Sequence, residues 1–220
     1  MASAEMLGMN PCLANSVSLP ASRKRAPSRQ AASRNLAWSG SDAIAVADAS
    51  EIFIWNFVPS MAKARRQLQL SGHTGPVHSV DYSPRDNVVA SGSGDRTVRL
   101  WSLSTVKGGC SVLKSHMGTV RSVSFSADGN SLLSASDDKT VKMWCVRTTK
   151  FQGALSGHTN WVRCAECSAD QRMAVSGSDD KTVRLWDLGS RACVQTFYDH
   201  SAGVTCVGFH PDGHSVAATR

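Results

Sequence analysis

A chain of 220 residues with 41% hydrophobic residues carries enough apolar material for one large packed domain or two small ones. Its net charge of +7, with 19% charged residues, favours acidic partners through simple Coulomb attraction. Seven cysteines, an odd number with no secretory leader, argue against a disulfide framework and for reduced thiols in a cytosolic or nuclear protein, while no apolar run reaches the roughly 18 residues of a spanning helix.

The charge is uneven. Within residues 1–35, Arg23, Lys24, Arg25, Arg29 and Arg34 face a single acid, Glu5, in a segment rich in Ala, Ser and Pro and free of apolar periodicity. Such a segment cannot bury enough apolar surface to offset its ordering entropy, and a solvated, disordered basic tail is expected. Its composition also resembles an organellar transit peptide, and Arg23–Arg25 a nuclear signal; both are minor alternatives.

From residue 36 the chain reads as strands separated by tight turns. Leu36–Ser39, Ala43–Val46 and Ile52–Trp55 supply three. A repeat follows: His73, His116, His158 and His200 recur about every 42 residues, and Trp101, Trp144 and Trp186 follow the first three histidines at one constant offset. Each unit opens with an apolar run such as Val120–Phe125, turns at Ser83, Ser126, Ser168 or His210, continues as in Leu132–Ser136, turns again around Asp137-Asp138-Lys139, and proceeds as in Thr140–Trp144. The segment 36–57 then reads as an eroded unit, with Ala45 and Ala49 where serine and aspartate stand downstream.

Every complete unit holds His, Ser, Asp and Trp at fixed offsets: His73, Ser91, Asp95, Trp101; His116, Ser134, Asp138, Trp144; His158, Ser176, Asp180, Trp186. A hydrolase with a Ser-His-Asp set is the enzymatic alternative. Catalysis needs one exposed nucleophile beside an oxyanion site, whereas a repeat needs the same internal fastening in every unit, so the threefold repetition favours structure. The adjacent carboxylates Asp137-Asp138 and Asp179-Asp180 lack a completing His or Glu for a metal, and Cys164 and Cys167, three apart on a strand, point to opposite faces. No cofactor and no metal are expected. Gly108-Gly109 reads as a turn.

The segment Ser-Gly-Ser-Asp-Asp-Lys-Thr-Val-Arg-Leu-Trp-Asp at 176–187, preceded by Gly157-His158, resembles a WD repeat. The resemblance implies an all-β propeller of four-stranded blades in which Trp donates to Ser and His links Ser to Asp. The expected organisation is a tail at 1–35 and a partial propeller at 36–220, with blades near 36–70, 71–113, 114–155 and 156–197 and an incomplete one at 198–220. One rim would then display Arg96, Lys139, Lys181, Asn160 and Trp161, with Arg121 and Arg163 starting innermost strands nearer the channel. Trp161 is the candidate interaction anchor, since its unit already has Trp186 for the network; interblade packing is the alternative. Nucleic-acid binding is secondary, because no continuous basic stripe with stacking aromatics is present.

Thr119–Val123, Ser134–Lys142 and Asn160–Ala165, with Val106–Gly109 and Phe209–Pro211, are similar to the proteome-of-centriole family of WD-repeat proteins. That resemblance implies a centriolar or basal-body scaffold supporting centriole stability and cilium formation, bound to microtubule-associated proteins. It also implies seven blades and a C-terminal coiled coil. Seven blades at this period need about 290 residues, so a fragment, an incomplete gene model or a short form with an exposed strand edge is expected. The other binding-module reading is a generic adaptor in a ubiquitin-ligase, chromatin or RNA-processing assembly.

Overall fold

A computed structural model describes residues 36–39, 43–58, 63–104, 109–210 and 215–220. The basic tail at 1–35, with its proposed signals, lies outside the described residues, as do Val106, Lys107, Gly108 and Pro211. The described residues are all-β, in four antiparallel sheets of four strands and one pair. The first blade comprises β1 (Leu36–Trp38), β2 (Ala43–Asp48), β3 (Glu51–Val58) and β4 (Lys63–Ser71). The second comprises β5 (Val77–Tyr82), β6 (Val88–Ser93), β7 (Thr97–Ser102) and β8 (Gly109–Lys114). In the third are β9 (Val120–Phe125), β10 (Ser131–Ser136), β11 (Thr140–Cys145) and β12 (Lys150–Ser156). In the fourth are β13 (Val162–Cys167), β14 (Met173–Ser178), β15 (Val183–Asp187) and β16 (Cys193–Phe197). The last pair is β17 (Cys206–Phe209) with β18 (Val216–Thr219).

The blades stack face to face, and each gap between them holds a core of its own. Ile52, Ile54, Leu70, Val80, Val89 and Trp101 fill the first gap; Val98, Leu113, Val120, Phe125, Leu132 and Trp144 fill the second. Leu133, Val141, Leu155, Val162 and Trp186 fill the third, and Cys164, Val175, Val183, Val204 and Val207 the fourth. A middle blade therefore buries both faces of its sheet. This explains why β6, β10 and β14 share a nearly unbroken buried pattern instead of an alternation, while the outermost β8 is exposed at all but one position. Polar links cross the same gap: the Val123 amide donates to Ser79 Oγ at 3.1 Å and the Phe125 amide to Asp81 Oδ2 at 2.7 Å.

Packing across the gaps is matched residue by residue. A Cβ on Gly92 would meet Val120 at 2.7 Å and Val123 at 3.1 Å; one on Gly177 would meet Val204 at 2.6 Å and Val207 at 2.8 Å. In the third blade the same position is Ala135, and the residue of the next blade that corresponds to Val123 and Val207 is Ala165, in the same core. The volume removed on one side of a gap is supplied on the other, as close packing demands. Gly92→Ala is expected to cost about 1–3 kcal/mol through overpacking, and Val123→Ala in the same chain to recover part of it. Urea midpoints of the two single variants and the double variant check this; strictly additive losses would contradict the matched packing.

Candidate functional site

Three blades repeat one hydrogen-bonded chain. His73 lies in the connection from β4 to β5, Ser91 in the middle of β6, Asp95 in the β6–β7 turn and Trp101 in β7. Trp101 Nε1 donates to Ser91 Oγ at 2.8 Å, and His73 contacts Ser91 Oγ through Nε2 at 2.7 Å and Asp95 Oδ2 through Nδ1 at 2.7 Å. An ionised carboxylate only accepts, so Nδ1 carries the ring proton, and Nε2 accepts from the serine hydroxyl. The third blade repeats this through Trp144, Ser134, His116 and Asp138, at 2.8, 2.7 and 2.6 Å, and the fourth through Trp186, Ser176, His158 and Asp180, at 2.8, 2.7 and 2.8 Å. The carboxylates also accept from both connections they join: Asp138 takes the Met117 amide of the β8–β9 connection and both the amide and hydroxyl of Thr140 at the end of its own turn.

Burial and hydrogen bonding set the charge states. Burial lowers the pKa of His73, His116 and His158, and the neighbouring carboxylate only partly offsets it. Burial pushes Asp95 and Asp180 up, but donors from threonine hydroxyls, histidines and backbone amides outweigh it and bring both down to about 2. Asp138 is lowered for the same reasons. The resting state is a neutral histidine against an ionised aspartate, the arrangement of a hydrolase triad. Yet Ser91, Ser134 and Ser176 are each 0% exposed, and the hydroxyl oxygen is already engaged by the indole N–H. A nucleophile needs an open approach to a carbonyl carbon; these serines have none.

The rim is built differently. The ladder between the innermost strand and its neighbour slips by one residue at His78, Arg121 and Arg163, so each is the extra residue of a β-bulge. A bulge re-aims its side chain out of the strand's alternation. Arg121 Nε and Nη2 donate to Asp137 at 2.9 and 2.7 Å, and Arg163 Nε and Nη2 to Asp179 at 2.8 and 2.5 Å. The first aspartate of each Asp-Asp pair thus orients an arginine and the second binds the histidine. In the second blade both partners change together, to His78 and Gly94. The arginine positions are neutralised by these carboxylates, so the free positive charge on this rim comes from Arg96, Lys139 and Lys181. All three are exposed at equivalent hairpin positions with φ of 67°, 70° and 69°, the left-handed conformation that tight hairpin turns demand.

Trp161 stands between the two oriented arginines, with Arg163 Cζ 5.3 Å and Arg121 Cζ 5.9 Å from its ring centroid. It is 43% exposed, and its amide is bonded to Asn160 Oδ1, which is also exposed. The ring is neither free nor buried: two cation–π contacts from blades three and four hold it at their junction and leave much of it open to solvent. The Arg–Asp pairing that fixes it had a signal in the sequence, an arginine and an aspartate at the same separation in two units and neither in the third. Cys164 and Cys167 fall in different gaps, on opposite faces of the fourth blade. No His, Cys, Asp or Glu cluster suited to a metal occurs among the described residues, and no helix long and apolar enough to cross a membrane occurs among them.

The sequence signature of the family described as WD domain, G-beta repeat, matches residues 64–102, 110–145, 149–187 and 191–220. Each of the first three matches begins at or near an outermost strand and ends at or near the third strand of the next blade, one strand out of phase with the sheets. The chain is similar to the Periodic tryptophan protein 2 homolog of Mus musculus, 45% identical over 56 residues, 26% of this chain and 6% of that protein. It is also similar to Transcription initiation factor TFIID subunit 5 of Caenorhabditis elegans, 53% identical over 38 residues, 17% of this chain and 6% of that protein. THO complex subunit 3 of Arabidopsis thaliana is 38% identical over 55 residues, 24% of this chain and 18% of that protein. The chain thus spans a small part of the length of the relatives it matches.

The charge states fix a pH dependence. A histidine with a lowered folded pKa, and an aspartate likewise lowered, both bind protons more readily in the unfolded chain, so each contributes stability that is lost as pH falls. Folding stability is expected to be level above pH 7, to fall from about 6.5, the ordinary histidine value, and to fall again between 3.8 and about 2 as the aspartates titrate. Thermal unfolding from pH 8 to pH 3 checks this; stability that rises on acidification from 7 to 5 would contradict neutral buried histidines.

Proposed function

The chain belongs to the WD domain, G-beta repeat family, and from that premise we propose that it is a protein-interaction adaptor within a multi-subunit assembly, without catalytic activity of its own. WD repeats serve as binding platforms, and two of the relatives reported above are named as subunits of larger assemblies, one of them a transcription initiation factor. This supports a chromatin or RNA-processing assembly more than the centriolar scaffold, which rests on the sequence resemblance of segments such as Thr119–Val123, Ser134–Lys142 and Asn160–Ala165 and has no counterpart in those names. The observation that carries the adaptor reading is Trp161: a large aromatic, oriented in advance by Arg121 and Arg163 and left partly exposed at the junction of the third and fourth blades. A side chain ordered before binding loses little entropy on docking, and truncating such an anchor costs about 2–4 kcal/mol of affinity.

Tagged chain recovered from its source cells, with Trp161→Ala alongside, tests the reading. Co-purification of a defined set of nuclear proteins, reduced at least tenfold in Trp161→Ala at unchanged thermal stability, is expected. Recovery of centriolar proteins would instead favour the scaffold of that organelle, and undiminished recovery with Trp161→Ala would remove the anchor.

A further inference from the structure

We propose that a cleft on the outer half of the second blade binds the phosphoryl group of a phosphoserine or phosphothreonine in a protein partner; this rests on the adaptor reading and names the chemistry of one partner. Thr97 pairs with Lys114 and Arg99 with Val112 across β7 and β8, which places these four side chains on one face of the sheet. Thr74, Asp95, Arg96 and His116 complete the lining of an open cleft of about 450 Å³.

The three cations have no carboxylate within ion-pair distance among the described residues. Asp95, the one acid of the lining, is engaged by His73, the Thr74 amide, and the amide and hydroxyl of Thr97. Arg99 is held in place without being neutralised. Its Cζ lies 5.7 Å from the Trp101 ring centroid, its Nη1 packs where a Cβ on Gly72 would come within 2.6 Å, its Nη1 donates only to Cys110 Sγ at 3.7 Å, and its Nε is buried without a partner.

The other complete blades do not assemble this set. In the third, Lys142 occupies the place of Arg99 and its ammonium donates to the Ser115 carbonyl and hydroxyl, 3.8 Å from Asp138, while Ser156 stands where Lys114 does. In the fourth, Arg184 is held as Arg99 is, with its Cζ 5.9 Å from the Trp186 ring centroid and its Nε buried without a partner, but β16 carries no Lys or Arg to complete the set. Three cations against one carboxylate leave two positive charges, the complement of a phosphomonoester of about −1.5 to −2; a carboxylate or a phosphodiester carries one. The guanidinium fork suits tetrahedral oxygens, and Val112, 38% exposed, gives the carbon stem an apolar wall. No exposed aromatic ring lines the cleft to stack a base, which favours a phosphoprotein over a nucleic acid.

Titration of the isotope-labelled full chain with N-acetyl-O-phosphothreonine amide, followed by backbone amide NMR, tests the site. Saturable shifts at Thr74, Arg96, Thr97 and Lys114 are expected, at least fivefold weaker with dimethyl phosphate. Arg96→Asn and Lys114→Gln should each weaken binding at least fivefold, and Lys181→Asn, at the equivalent turn of the fourth blade, should not. No saturable shift, an equal response to the diester, or an equal loss in Lys181→Asn would overturn the proposal. Cellular partners retained alongside a silent cleft would overturn this site and leave the adaptor reading standing; a responsive cleft in a chain that captures no partner would support the site and count against that reading.

Discussion

A four-stranded sheet has two faces, and a single repeat has no residues left over to cover either. That constraint governs the rest of the molecule. Each blade must find its core in the gap shared with a neighbour, which is why Leu132 and Leu133, adjacent in β10, sit in different cores and are both fully buried. Stacking supplies apolar burial but little directional information, because flat aliphatic faces slide. The Trp-Ser-His-Asp chain and the amide bonds to Ser79 and Asp81 supply the direction. They tie the connection between blades, the central strand, the hairpin turn and the third strand to one geometry, and leaving any one of these groups buried and unpaired costs about 1–3 kcal/mol.

The same constraint separates what repeats from what differs. Groups that fasten a blade recur three times with nearly the same geometry, the histidine-to-aspartate contact measuring 2.7, 2.6 and 2.8 Å in successive blades. Groups that give this chain its individuality are those where the repeat is broken: Trp161 in place of Pro76 and Thr119, Arg121 and Arg163 in place of His78, Lys114 in place of Ser156. These substitutions lie on the rim and on the outer strands, where interblade packing does not dictate the side chain. Function in a repeat architecture is read from such departures, and here they place one held aromatic between two carboxylate-paired arginines at the junction of the third and fourth blades, and a lysine on the outer strand of the second.

Much of this was legible in the chain before its structure. The regular return of histidine, the turns at Ser126 and Asp138 and the tryptophans at a constant offset from the histidines locate the strands of the second, third and fourth blades, because each turn demands particular residues and each strand spans a fixed length. The eroded first blade was legible for its first three strands only: β4 opens on Lys-Ala-Arg-Arg, which has no apolar alternation to mark a strand. The bulges at His78, Arg121 and Arg163 were not legible, since one extra residue in a strand leaves no compositional mark. Nor was the cleft of the second blade, which depends on cross-strand register bringing Arg99 and Lys114 to one face.

The buried serines fasten the blades, each joined to an indole N–H and a histidine ring. Amide hydrogen exchange of Ser176→Ala against the unaltered chain tests this role. Loss of protection across β14 and β15, with the Trp186 indole N–H and His158 left without their shared oxygen, is the predicted result. Unchanged protection throughout the fourth blade, together with loss of a hydrolytic turnover, would contradict it.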